Sequence, residues 1–334
     1  WQLYAVYFVF AIAFGISSSV AVNAIITRWF VRKRALAMSF AFTGVSLGGV
    51  VLAPVASWLI DAGGLEVATP LLGGLVILVG LPVTLIAIAW EPRELGLQPD
   101  GDAAPVAGAP PPQVDDIQSR RWGRGEAMGT VGFWAIFVAF LLVLVAQTGY
   151  VIHQVSFLEE RLGSRNEAAF TLSVTAFGSI IARLVVGVFA DNIDKRLLTA
   201  ALFVVQASAI MLIIHTDSLW ATWVLTLVFG FTIGNIYMMQ SLLVGEIFGM
   251  VSFASIFGLV SLAGQVGSGL GPIGVGFLQD QTGGYTVPFT ITALLTYAAA
   301  VAVLFARPQR RALPVAATEP SASSLVSASR AGRE

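Results

Sequence analysis

Apolar residues fall into nine long runs, roughly 1–27, 35–60, 69–90, 129–155, 167–190, 198–215, 219–243, 252–279 and 285–306. Each holds about 18 to 28 residues, and about 20 helical residues cross a bilayer core of roughly 30 Å. Strands of a membrane barrel are shorter and alternate in polarity, and these runs do not alternate. Gly and Pro recur inside them, as transmembrane helices allow. The pattern predicts an all-α membrane protein with nine transmembrane helices. The polar stretch 91–128 divides three runs from six. Its Pro/Ala/Gly-rich part, Pro99-Asp100-Gly101-Asp102-Ala103-Ala104-Pro105 through Pro110-Pro111-Pro112, predicts a flexible linker and not a folded unit. Residues 307–334, Ala/Ser-rich towards the end, predict a disordered tail. Many transporters consist of two repeated six-span halves. On that plan 1–90 is a partial first bundle of three spans and 129–306 a complete second bundle of six. The sequence opens Trp1-Gln2-Leu3-Tyr4, without an initiator Met or the basic start of a signal peptide. We expect it to lack its true N-terminus.

Composition sharpens the class. Hydrophobic residues make up 57% and charged residues 11%, against about 25% charged in ordinary soluble domains. Cysteine is absent, which removes disulfide and thiol chemistry. The net charge of −1 gives no reason to expect nucleic acid. Two His, no Cys and no acidic residue deep in a run argue against a membrane enzyme, a metal centre or a cofactor. No filter sequence or ring of charge suggests a channel. The basic residues set an orientation. With the turn 28–34 in the cytoplasm, the linker, the turn holding Lys195 and Arg196 and the tail all lie inside. That places 15 of the 18 Lys and Arg on the cytoplasmic side, with Arg161 and Arg165 outside and Arg183 within a span. The positive-inside rule favours this arrangement. We expect a multi-pass monomer, in a bacterial inner (plasma) membrane.

A weak repeat links the two parts. Gly44-Val45-Ser46-Leu47-Gly48, Pro54, Asp61, Gly63 and Gly64 resemble Gly264-Gln265-Val266-Gly267, Pro272, Asp280, Gly283 and Gly284. The Pro, Asp and Gly offsets are 218, 219 and 220 residues. Gly187-Val188-Phe189-Ala190-Asp191-Asn192-Ile193-Asp194-Lys195-Arg196 resembles the cytoplasmic loop motif of the major facilitator superfamily, with Asp194 in place of the usual Gly. Arg28-Trp29-Phe30-Val31-Arg32-Lys33-Arg34-Ala35-Leu36-Ala37, followed by Gly44 and Gly48, is similar to the turn between that fold's fourth and fifth helices. It is typical of the monocarboxylate porter and oxalate:formate antiporter branch. Leu95-Gly96-Leu97-Gln98-Pro99-Asp100-Gly101, Phe133-Trp134, His153-Gln154-Val155-Ser156-Phe157-Leu158 and Asp280-Gln281-Thr282-Gly283-Gly284-Tyr285 resemble further marks of the same branch. By this resemblance the nine runs correspond to helices four to twelve of a major facilitator fold. The function it implies is secondary active transport of a small organic anion by alternating access, as symporter or antiporter. A porter of neutral or drug-like solutes and a non-transporting receptor on the same fold remain open as alternatives.

Charge within the runs indicates where an anion would bind. Every acidic residue lies in a loop, a tail or a helix end, and Arg183 alone is charged well inside a run. A mid-helix Arg costs about 2.5–3.5 kcal/mol to insert and normally faces a cavity or partner. An Arg with no fixed counter-ion suits a carboxylate, which a guanidinium can hold bidentately. The resemblance agrees, since an Arg eight residues before the loop Asp contacts substrate carboxylate in that branch. The alternative is an Arg that snorkels or bonds backbone carbonyls. Gln147, Tyr150 and Gln154 share one helix face at i, i+3 and i+7, with His153 beside it. Asn235, Tyr237 and Gln240 lie in the seventh run and Gln265 in the eighth. Each is a candidate for substrate contact or for an interhelical hydrogen bond, worth about 0.6 kcal/mol. The Lys that anchors a second carboxylate in oxalate-type porters has no counterpart in 252–279, which favours a monoanion. His153 is a candidate proton relay, and a coupled proton or counter-anion is left open. Gly187, Asp191, Lys195, Arg196 and Glu246 are candidates for a cytoplasmic gate. There Asp191 would cap an adjacent helix and Glu246 would meet Arg196.

Overall fold

The computed structural model describes residues 1–16, 19–102 and 121–307. The described residues are helical, with no strand among them. The helices are α1 (Gln2–Ile16), α2 (Ser19–Trp29), α3 (Arg34–Pro82), a short α4 (Arg124–Met128), α5 (Val131–Leu162) and α6 (Arg165–Phe189). They continue with α7 (Lys195–His215), α8 (Leu219–Ile233), α9 (Ile236–Phe248), α10 (Phe253–Thr282) and α11 (Thr286–Leu304).

Five of the six runs after the linker become one helix each, because polar and glycine residues bound them, and the run 219–243 is divided between α8 and α9. Thr130 accepts a hydrogen bond from the Phe133 amide and so starts α5. Gly163, at φ 67, ends it. Asp194 caps α7 through the Arg196 amide at 2.9 Å, and Gly283, at φ 70, closes α10. Arg161 donates to the Thr216 carbonyl at 3.0 Å, just past the end of α7.

The first part differs from the expected three spans. Seven helices among the described residues are long and apolar enough to cross a membrane, and only one of them, Trp58–Ile86, precedes the linker. The run 1–27 is divided between α1 and α2. The runs 35–60 and 69–90 share α3, interrupted only at Gly64. Gly64 adopts φ 70 and ψ −179, a conformation open to glycine and strained for any other residue. The positive-φ residues of the two Gly-Gly pairs are not equivalent: Gly64 is the second of its pair, at ψ −179, and Gly283 the first of its pair, at ψ 17. The proline-rich stretch 103–120 and the tail from 308 lie outside the described residues.

In the second part α5 packs on α10 and α11, α6 on α8, and α7 on α8 and α11. Small residues make the close seams. A Cβ on Gly271 would collide with the Val145 carbonyl oxygen, and one on Gly267 would stand 2.7 Å from that of Leu141. A Cβ on Gly230 or Gly234 would run into the carbonyls of Thr175 or Ser179. Close backbone approach through small residues is how helices associate where lipid supplies no hydrophobic drive. Two apolar cores fill the bundle. One, at the linker end, takes in Ala35, Met38 and Phe42 of α3 together with Val186, Ala190, Ile247 and Phe248. The other surrounds Tyr150, Phe157, Ile213 and Phe289. Thus α3 packs against α6 and brings the first part onto the second.

Candidate functional site

Arg183 sits on α6 where α3, α6 and the α8–α9 break meet. The residue is 8% exposed. Its Nε donates to the Gly234 carbonyl at 2.7 Å. Its Nη1 donates to the Phe42 carbonyl at 2.9 Å and to Ser46 Oγ at 2.5 Å. Nη2 makes no hydrogen bond to the described residues. None of the described carboxylates lies within ion-pair distance of the guanidinium.

The break between α8 and α9 belongs to this arrangement. Gly234 and Asn235 turn between the helices, and the Asn235 amide bonds back to Thr232 at 3.2 Å. The Gly234 carbonyl therefore accepts from Arg183. Sequence reasoning missed Phe42 and Ser46 as partners. Ser46 lies in the Gly44–Gly48 motif, where a hydroxyl between small residues was the available signal. Its Oγ also lies 3.4 Å from that of Ser179.

The other predicted contacts divide by burial. Tyr150, Gln154 and Asn235 are 0% exposed and Gln240 is 1% exposed, all within the bundle. Tyr150 packs its ring 4.5 Å from Phe229 and 4.9 Å from Phe289. Gln154 Nε2 donates to Thr171 Oγ1 at 2.9 Å, joining α5 to α6. Gln240 Nε2 reaches the Val260 carbonyl at 3.4 Å, and Asn235 Nδ2 donates to Phe231 one turn back. His153 Nε2 donates to the Pro272 carbonyl at 3.1 Å, tying α5 to the proline turn of α10. Gln265 is exposed on α10. Of these residues Asn235 directly follows Gly234, whose carbonyl Arg183 binds, while Tyr150, His153, Gln154 and Gln240 join helices or fill the core.

At the linker end the gate residues converge. Asp191 Oδ1 accepts from the Ala35 amide at 3.0 Å, in the first turn of α3, where a carboxylate meets the positive end of the helix dipole. A Cβ on Gly187 would collide with the Ser39 side chain of α3, so this glycine lets the two helices touch. Glu246 pairs with Lys195 at 3.3 Å; the expected partner, Arg196, turns to Asp194 at 2.6 Å. Asp194 caps the helix that Arg196 opens, so that pair closes locally before Glu246 can compete. The Arg196 hydrogen bonds hold the Asp194 carboxyl below the usual carboxylate range.

Comparison with known proteins bears on the family. The profile of the family described as Major Facilitator Superfamily matches residues 1–250 and, separately, 154–332. Among curated proteins, "Monocarboxylate transporter 13" of Bos taurus is 29% identical over 273 residues, covering 80% of this chain and 59% of that protein. "Monocarboxylate transporter 11" of Homo sapiens is 28% identical over 289 residues, covering 81% of this chain and 56% of that protein. The chain thus spans somewhat over half the length of the curated relatives it matches.

Proposed function

Because the chain belongs to the major facilitator superfamily, we propose that it forms the greater part of a secondary transporter that carries a small organic monoanion by alternating access. The observation behind this reading is Arg183, a membrane cation that, among the described residues, has no carboxylate beside it and no hydrogen bond at Nη2. One carboxylate oxygen can be received at Nη2. Bidentate binding requires Nη1 as well, and so requires Phe42 or Ser46 to give way. The names of the mammalian relatives support a monocarboxylate as cargo. The lack of a Lys in 252–279 supports one anionic group over two.

The test is uptake of a panel of radiolabelled mono- and dicarboxylates into vesicles containing the full-length protein. Saturable uptake of monocarboxylates and none of dicarboxylates is expected. Transport of neutral solutes alone would overturn the reading.

The linker side is assigned to the cytoplasm on the bias of the basic residues. A reporter inserted within 100–115 should label from the cytoplasm and one at 161–165 from outside. The reverse pattern would invert the orientation.

A further inference from the structure

The linker segment that begins Leu95-Gly96-Leu97 returns to the turn from which α3 starts. Asp100 Oδ2 accepts from the amides of Val31 at 3.1 Å and Arg32 at 2.9 Å, and Oδ1 faces the Lys33 amide at 3.4 Å. The Asp100 side chain is 3% exposed. Asp100 is also the one non-glycine residue at positive φ, 58°, among the described residues. That conformation persists where surrounding contacts over-determine it, and here three backbone donors do so.

The Ala35 amide of the same turn goes to Asp191 from the loop after α6. Four of the five amides 31–35 therefore end on two carboxylates, one from the linker and one from the second bundle. Arg34 lies between them and feels both charges. The far end of the linker is fastened elsewhere. The Trp122 amide donates to Ser252 Oγ at 2.7 Å and Arg124 Nε to Ser255 Oγ at 2.9 Å, both at the α9–α10 turn.

We propose that Asp100 is a positioning residue of the linker-side gate. It shapes the start of α3 so that the Ala35 amide meets Asp191, and release of the linker from this turn lets that side open. The proposal rests on the alternating-access reading above.

Residues 1–334 hold no cysteine, so once any cysteine outside them is replaced a single reporter can be read cleanly. Met38→Cys places one in the core shared by α3 and α6, and Ala299→Cys places one in the bundle interior; both positions are 0% exposed. Labelling by an impermeant maleimide from the linker side is measured in the full-length protein. Asp100→Asn and Asp100→Gly both tolerate positive φ, and they weaken or remove the carboxylate. Each should speed Met38→Cys labelling, roughly 5- to 30-fold for Asp100→Gly, and leave Ala299→Cys unchanged. Asp102→Asn removes the neighbouring exposed carboxylate, paired to Arg32 at 2.5 Å, and should change neither rate. Native labelling in both Asp100 variants would overturn the proposal. So would an equal rise at Ala299→Cys, which signals general loosening, or an equal rise with Asp102→Asn, which signals charge alone. The assay needs no substrate, so a responsive gate alongside failed carboxylate uptake would refute the cargo and spare the gate.

Discussion

On the proposed anion reading, Arg183→Gln is expected to weaken carboxylate binding while the protein still inserts. Losing a charge-assisted contact weakens affinity by about 1.5–3 kcal/mol, or roughly 10- to 150-fold. Insertion is not impaired, because the change removes a costly membrane charge. Arg183→Lys keeps the charge but not the planar fork. A single ammonium cannot span Gly234 on one side and Phe42 and Ser46 on the other, so it too binds more weakly. The measurement is carboxylate binding or exchange in the full-length protein for both variants, with membrane yield followed in parallel. Native affinity in Arg183→Gln would make Arg183 a strut between helices and leave the anion reading without its main physical support.

Gly230→Ala destabilises the bundle, whereas Gly258→Ala does not. At Gly230 the added carbon would stand 2.8 Å from Thr175 Cα and 3.0 Å from its carbonyl carbon, and closer still to its oxygen. These are backbone atoms of a packed helix, so the overlap is relieved only by parting α6 from α8. The cost is about 3 kcal/mol, the upper end for overpacked interiors. At Gly258 nothing stands within 4 Å of the added carbon. Thermal unfolding of the purified protein in one detergent should show a drop of several degrees for Gly230→Ala alone. Equal midpoints would mean that the α6–α8 seam yields more readily than its contacts imply.

The second bundle was legible in the sequence because polar punctuation closes each run. Gly163, Asp194 and Gly283 stop or start helices through interactions local in sequence. The first part was less legible. The stretch Asp61–Gly64 is polar enough to suggest a loop, yet helix continues on both sides and a single positive-φ glycine makes the bend. Hydropathy was also blind to the division of the run 219–243. Asn235 is polar, but Ile233 and Ile236 keep the run apolar around it, and the break shows in a carbonyl that turns to Arg183 on another helix.

The site followed the same rule. Arg183 was visible because a lone membrane charge is expensive. Tyr150, Gln154, Asn235 and Gln240 had the polarity of ligand contacts and equally that of interhelical hydrogen bonds. Only burial separates the two, and burial depends on residues distant in sequence. Asp100 stood in the Leu95–Gly101 motif, but nothing in the sequence tied its carboxylate to the amides of the turn 31–33.

The seams divide the molecule mechanically. Where α6 meets α8, glycines bring backbone against backbone at Thr175 and Ser179, which leaves no slack for one helix to move on the other. Where α6 meets α3, a Cβ on Gly187 would collide with the Ser39 side chain and stand 3.4 Å from the Ala35 carbonyl oxygen, and further ties are hydrogen bonds at Phe42, Ser46 and Ala35. The first contact behaves as a weld and the second as a slip plane. If the two parts slide as alternating access requires, Arg183 and the Gly234 carbonyl would travel as one rigid body, and the bonds to α3 would be the ones exchanged.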